Sequence, residues 1–171
     1  MGAAMTSSTV NAASVEAAPS FELRFRPSAT LITVVRRFVE EFYMKVMDDR
    51  DVASRLALTT HELLENAAKY STDGEASLQV VARRGRVHVL ASNRAAPAQI
   101  DLLRKYFEEI GAAPDARELY ARMLKRTAVL SSGSGGLGLA RIWAESEMAI
   151  RLEVTGDQVE IHAEGTIVSS A

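Results

Sequence analysis

Two short segments carry the residues whose types and spacing can do chemistry. The first is Thr60-His61-Glu62-Leu63-Leu64-Glu65-Asn66-Ala67-Ala68-Lys69-Tyr70-Ser71. Glu62 and Asn66 are four positions apart, so on a helix they share one face. A carboxylate and a carboxamide so placed can present oxygens to a hard cation such as Mg²⁺. The Glu62 carboxylate can instead orient or deprotonate a nucleophile. Lys69 can reach a phosphate, or pair with Glu65 one turn earlier on a solvated face. The second segment is Gly133-Ser134-Gly135-Gly136-Leu137-Gly138-Leu139-Ala140-Arg141-Ile142. A glycine-rich loop entering a helix exposes backbone N–H groups, and the helix dipole adds positive potential. Together they hold phosphate oxygens without a basic side chain. A plain linker accounts for Ser131 to Gly136 but not for the abrupt change to Leu-Gly-Leu-Ala-Arg-Ile.

Other readings of these residues are narrower. Residues 133–138 contain G-x-G-x-x-G, but the loop does not follow the first strand of a βαβ unit, and no Lys-Ser/Thr follows it. His61-Glu62 begins like a zinc-protease HExxH, yet position 65 is Glu. Arg141 can approach phosphate, or pair with Glu145 at i,i+4, and the spacing favours the pair. Trp143 reads as core. Arg117 to Arg126 reads as a lid helix or a partner surface.

The elements that must position these segments follow from periodicity. Phe21 to Arg26 alternates apolar and polar, as a half-buried strand does. Pro27-Ser28 breaks the strand, and Ser28 or Thr30 can cap the helix that follows. That helix carries Leu31, Val34, Val35, Phe38, Val39, Phe42 and Val46 as its apolar face. A second helix runs from about Val52 to Tyr70 with Leu56, Thr60, Leu63, Leu64 and Ala67 inward. Ser71 to Gly74 reads as a turn. Ala76–Ala82 and Val87–Ala91 read as a hairpin across Arg83-Arg84-Gly85-Arg86. Two helices follow, the first on Ile100, Leu102, Leu103, Phe107 and Ile110, the second on Leu119, Met123 and Leu124. A helix from Leu137 to Ser146 comes next, then strands at Met148–Val154 and Gln158–Ala163 about the turn Thr155-Gly156-Asp157. Helices clustered in sequence and strands paired as hairpins predict an α+β, two-layer sandwich. Residues 1–20, small and polar without periodicity, read as a disordered tail, and 21–171 as a single domain.

Composition bounds the rest. The chain has 171 residues, 47% hydrophobic and 25% charged, ordinary for a globular protein. Twenty Lys and Arg against 22 Asp and Glu give a net charge of −2, without the basic excess of a nucleic-acid binder. Cysteine is absent, which removes disulfides, thiolate metal sites and Cys nucleophiles. Three histidines leave little for a His-based metal site. No apolar run approaches a membrane span, and with no signal-peptide pattern the expected compartment is the cytoplasm.

The paired segments resemble the nucleotide-binding boxes of the GHKL ATPase superfamily, the Bergerat fold of gyrase, Hsp90, MutL and histidine kinases. Length and element order are most similar to the bacterial anti-sigma factor serine kinases, over about Phe21 to Ala163. The resemblance implies a mixed, mostly antiparallel sheet with helices on one face, ATP and Mg²⁺ as cofactors, and a sigma factor-like or antagonist protein as partner. It implies that Asn66 coordinates Mg²⁺, that Glu62 is the general base, and that Gly133, Ser134, Gly135, Gly136, Leu137 and Gly138 close over the phosphates. Related kinases commonly dimerise, which implies a possible homodimer. The family's first glycine box, Asp-x-Gly-x-Gly, should follow the strand near Ala91. Here the residues are Ser92-Asn93-Arg94-Ala95-Ala96-Pro97, and Asn93 is the candidate acceptor for the adenine amino group. His61-Glu62-Leu63 also imitates a histidine-kinase phosphoacceptor box, but the chain has no room for the four-helix domain that box needs. Three functions stay open: an ATP-binding partner-switching regulator with serine kinase action, a nucleotide-free protein-binding module on the same fold, and the catalytic half of a split histidine kinase.

Overall fold

The computed structural model describes residues 20–83, 85–130 and 136–166. Residues 1–19 and 131–135 lie outside them, and with them most of the expected tail and Gly133, Ser134 and Gly135. The described chain runs β1 (Ser20–Phe25), α1 (Ala29–Met47), α2 (Arg50–Tyr70), β2 (Ser71–Arg83), β3 (Arg86–Ala95), α3 (Pro97–Ala112), α4 (Ala116–Leu130), α5 (Leu137–Ser146), β4 (Ala149–Thr155) and β5 (Gln158–Thr166). The strands form one sheet in the order β1-β2-β3-β5-β4. Every described pairing is antiparallel, so the mostly antiparallel sheet expected from the sequence contains no parallel pair among the described residues. The architecture is the two-layer α+β sandwich.

Local chemistry sets the element ends. Ser28 caps α1, its Oγ accepting from the Leu31 N–H at 3.2 Å. Asp49 caps α2, its Oδ1 accepting from Val52 N–H at 3.0 Å. Pro97 opens α3, where its missing N–H costs nothing. One face of the sheet is apolar: Leu78 and Val80 on β2, Val87, Val89 and Ala91 on β3, and Val159, Ile161 and Ala163 on β5 are buried. On it lie Leu56, Leu63 and Leu64 of α2 and Leu139 and Ile142 of α5. The predicted inward set of α2 is buried in full, Thr60 and Ala67 included.

Two local expectations are corrected. Asp73 and Gly74 sit inside β2, where the register shifts between Ser71 and Ala76, and are not a separate turn. Asp73 Oδ1 accepts from the Glu75 N–H and the Ser71 hydroxyl, which supports this bulge and holds the carboxyl below its ordinary pKa. In α1 the core stripe is Ile32, Val35, Val39 and Tyr43, whereas Val34, Phe38 and Val46 are exposed. The helix carries two adjacent apolar stripes, and packing against α2 selects one of them. Val39→Ala is therefore expected to cost about 2 kcal/mol of stability. Val34→Ala is expected to stay within about 0.5 kcal/mol. Denaturant unfolding of the two variants checks this assignment.

Candidate functional site at the α2–α5 junction

The sandwich brings the two chemistry-bearing segments together. Leu63 and Leu64, both fully buried, seat the middle of α2. That seating drives the neighbouring Glu62 into the helical layer, where it is 7% exposed. Opposite it, α5 starts at Leu137 behind Gly136, which takes the left-handed conformation (φ 76°) that favours glycine. Gly138 lies in the first turn of α5, and a Cβ there would come within 2.4 Å of Glu62 Oε2. The carboxylate is thus in direct apposition to the α5 backbone, and only glycine leaves room for it. Gly136 is held equally closely, since a Cβ would meet the Tyr106 ring at 2.7 Å.

Electrostatics at the junction centre on one cation. Arg141, one turn into α5, donates from Nη1 to Glu62 Oε1 at 3.1 Å and from Nε to Glu145 Oε2 at 2.8 Å. The expected pairing with Glu145 is present, and the bond to Glu62, 79 residues away, joins the two helices. Burial holds the Glu62 carboxyl above its ordinary pKa, and Arg141 works against that rise. Burial thus makes this carboxylate a better proton acceptor than a solvated one.

The remaining candidates sit around this centre. Asn66, half-buried, donates from Nδ2 to the Glu62 carbonyl oxygen at 2.9 Å. With Nδ2 so committed, Oδ1 is the atom left to ligate a hard cation. Lys69 is exposed, with Nζ 5.3 Å from the Tyr70 ring centroid. It lines a groove between α1 and α2 with Ala29, Ile32, Thr33, His61, Glu65 and Ala68. Glu65 pairs with His61 at 3.3 Å. Asn93 is buried and alternates with Ala91 and Ala95 on the helix-facing side of β3, its Nδ2 bonded to the Arg94 carbonyl at 3.1 Å. No glycine interrupts residues 92–97, so β3 runs unbroken to Ala95 and passes directly into α3. Leu137 is half-buried at the start of α5.

Sequence reasoning missed two participants. The bond from Arg141 to Glu62 has no local signal, because its partners meet only through the tertiary fold. Tyr106, on α3, gives no hint in its own segment that it packs on Gly136.

No family model matches this chain, and no curated protein matches it by sequence. Its fold is similar to that of a chain in the crystal structure of the SiaB-SiaC complex from Pseudomonas aeruginosa. The TM-score is 0.59 at 16% identity, over 86% of this chain and 89% of that one. The likeness establishes a shared fold.

Arg141→Ala would leave Glu62 buried without its cation. Arg141 is 39% exposed at the side chain, so solvent screens part of the interaction, and the expected loss at pH 8 is about 1–3 kcal/mol. The raised carboxyl fixes the sign with pH. Stability linked to Glu62 is complete below the unfolded-state pKa and is lost as pH rises through the folded-state value. The variant's deficit should therefore shrink as the pH is lowered and Glu62 protonates, in unfolding curves measured from pH 8 downward.

Proposed function

We propose that the protein is an ATP- and Mg²⁺-binding regulator of the anti-sigma factor, partner-switching type, acting as a serine kinase on a small antagonist protein. The observation that carries this reading is the contact of Glu62 with the backbone at Gly138. It brings the acid of the acid–amide pair against the glycine-gated helix start, as the resemblance to the GHKL superfamily would require. The donor set fits the cofactors. Asn66 Oδ1 suits a hard cation.

Each residue then has a part. The backbone N–H groups of Gly136, Leu137 and Gly138 would hold phosphate oxygens at the start of α5. Asn66 would ligate Mg²⁺, and Lys69 would supply positive charge for a phosphate. Asn93 would accept from the adenine amino group. Bound ATP–Mg²⁺ supplies the transferable phosphoryl group. Glu62 accepts the proton of the attacking hydroxyl, for which its raised pKa is suited. Arg141 must release one Glu62 oxygen for this, and its bond to Glu145 keeps the guanidinium in place when it does.

Two further observations support protein docking. The matched fold comes from the structure of a protein–protein complex. Val34, Phe38 and Val46 leave an apolar stripe of α1 open, with Phe21 edge-on to Phe38 at 5.2 Å. Among the described residues no helix is long and apolar enough to cross a membrane. A second reading is a nucleotide-free protein-binding module. It is favoured by the Glu62–Arg141 ion pair, which closes the junction, and by the unbroken strand at Asn93.

Calorimetric titration of ATP separates the two. The expected result is Mg²⁺-dependent binding that Asn66→Ala weakens roughly tenfold or more, the loss of one charge-assisted ligand contact. Absence of binding at millimolar ATP with Mg²⁺ would remove both nucleotide binding and kinase action and leave the binding module.

A further inference from the structure

The face of the sheet turned away from the helices carries a second cluster of ligating groups. His162 of β5 is opposite Leu90 of β3 and Arg151 of β4, and Glu160 is opposite Glu153. Two carboxylates directly across a strand pair repel each other, a repulsion that the Arg151 guanidinium on Glu153 relieves in part and a bound cation would relieve further. His162 is 7% exposed, yet its Nε2 has no hydrogen-bond partner. That orphaned atom is aimed between the two acids, 3.8 Å from Glu153 Oε2 and 3.8 Å from Glu160 Oε2. One ligand atom from each of the three residues falls within 4.8 Å of the others.

We propose that Glu153, Glu160 and His162 form a binding site for a divalent transition-metal ion of the Zn²⁺ class on the open face of the sheet. An imidazole nitrogen with two carboxylate oxygens suits such an ion better than Mg²⁺ or Ca²⁺, which take oxygen ligands. Three protein ligands leave further coordination positions to water. Glu160 also lines an open cleft of about 590 Å³, with Ser92 and Gln158 among its neighbours, so those positions are reached from solvent.

The surroundings define the protonation state the site needs. His162 Nδ1 lies 3.1 Å from His88 Nε2. When Nε2 ligates, Nδ1 carries the proton and donates it to His88, the outer partner that a metal-bound histidine commonly has. Arg151 Nη2 also lies 3.1 Å from Nδ1, and as a donor it must turn away in that state. Glu153, which Arg151 already contacts through Nη1, can receive it through the oxygen not used for the metal.

The test uses the untagged full chain, freed of metal with a chelator and titrated calorimetrically with Zn²⁺, then with Mg²⁺ and Ca²⁺. The expected result is one micromolar or tighter Zn²⁺ site per chain, with no comparable response to Mg²⁺ or Ca²⁺. Glu153→Gln and Glu160→Gln should each weaken it about tenfold or more, and His162→Gln should abolish it. The two Glu variants change exposed or half-buried residues, so they remain informative if the buried His162 variant fails to fold. No stoichiometric Zn²⁺ binding would overturn the proposal. So would Zn²⁺ affinity unchanged in both Glu variants, because the ion would then sit elsewhere, for instance at His61 and Glu65.

Discussion

A carboxylate buried between two helices governs the helical layer. Glu62 cannot be solvated where Leu63 and Leu64 place it, so it needs a cation and a neighbour without a side chain. Arg141 supplies the first and Gly138 the second, and both belong to the first turns of α5. The position of α5 on α2 follows from this. The glycine at 136 adds a separate steric constraint against Tyr106 of α3. Two helices distant in sequence are tied to the one charged group, and the chemistry proposed for the junction uses that group.

The sheet separates two environments. Its inner face is aliphatic and carries the helices, while its outer face carries His88, Glu153, Glu160 and His162. Strand alternation alone produces this division, since neighbouring residues of β5 such as Ile161 and His162 point to opposite sides. A ligand held on one face need not disturb the other except through the strands themselves. The nucleotide reading and the metal proposal are therefore independent, and either can fail without the other.

Much of the architecture was legible in the sequence because local signals agreed with it. The Ser28 cap, the inward residues of α2, the Gly85 hairpin and the start of α5 each follow from short-range chemistry. The face of α1 was not legible, because two apolar stripes lie side by side and only the packing of α2 chooses between them. The bulge at Asp73 and Gly74 reads as a turn by composition, but strand pairing on both sides keeps it in β2. Spacing suggested the Glu62–Asn66 pair and the glycine-rich helix start, and the fold brings Glu62 against Gly138. It could not suggest that Arg141 would join them. The outer histidine cluster was missed for a similar reason, since a count of three histidines says nothing about a buried Nε2 facing two acids from neighbouring strands.

The central claim is that the junction of α2 and α5 is where nucleotide binds. Hydrogen–deuterium exchange of the full chain, with and without ATP and Mg²⁺, tests it at the backbone itself. The account predicts slower exchange in residues 60–70 and 136–142 when both are present, and little change in β1 or β4. Unchanged exchange in those two segments at saturating nucleotide, or protection confined to another part of the chain, would contradict it.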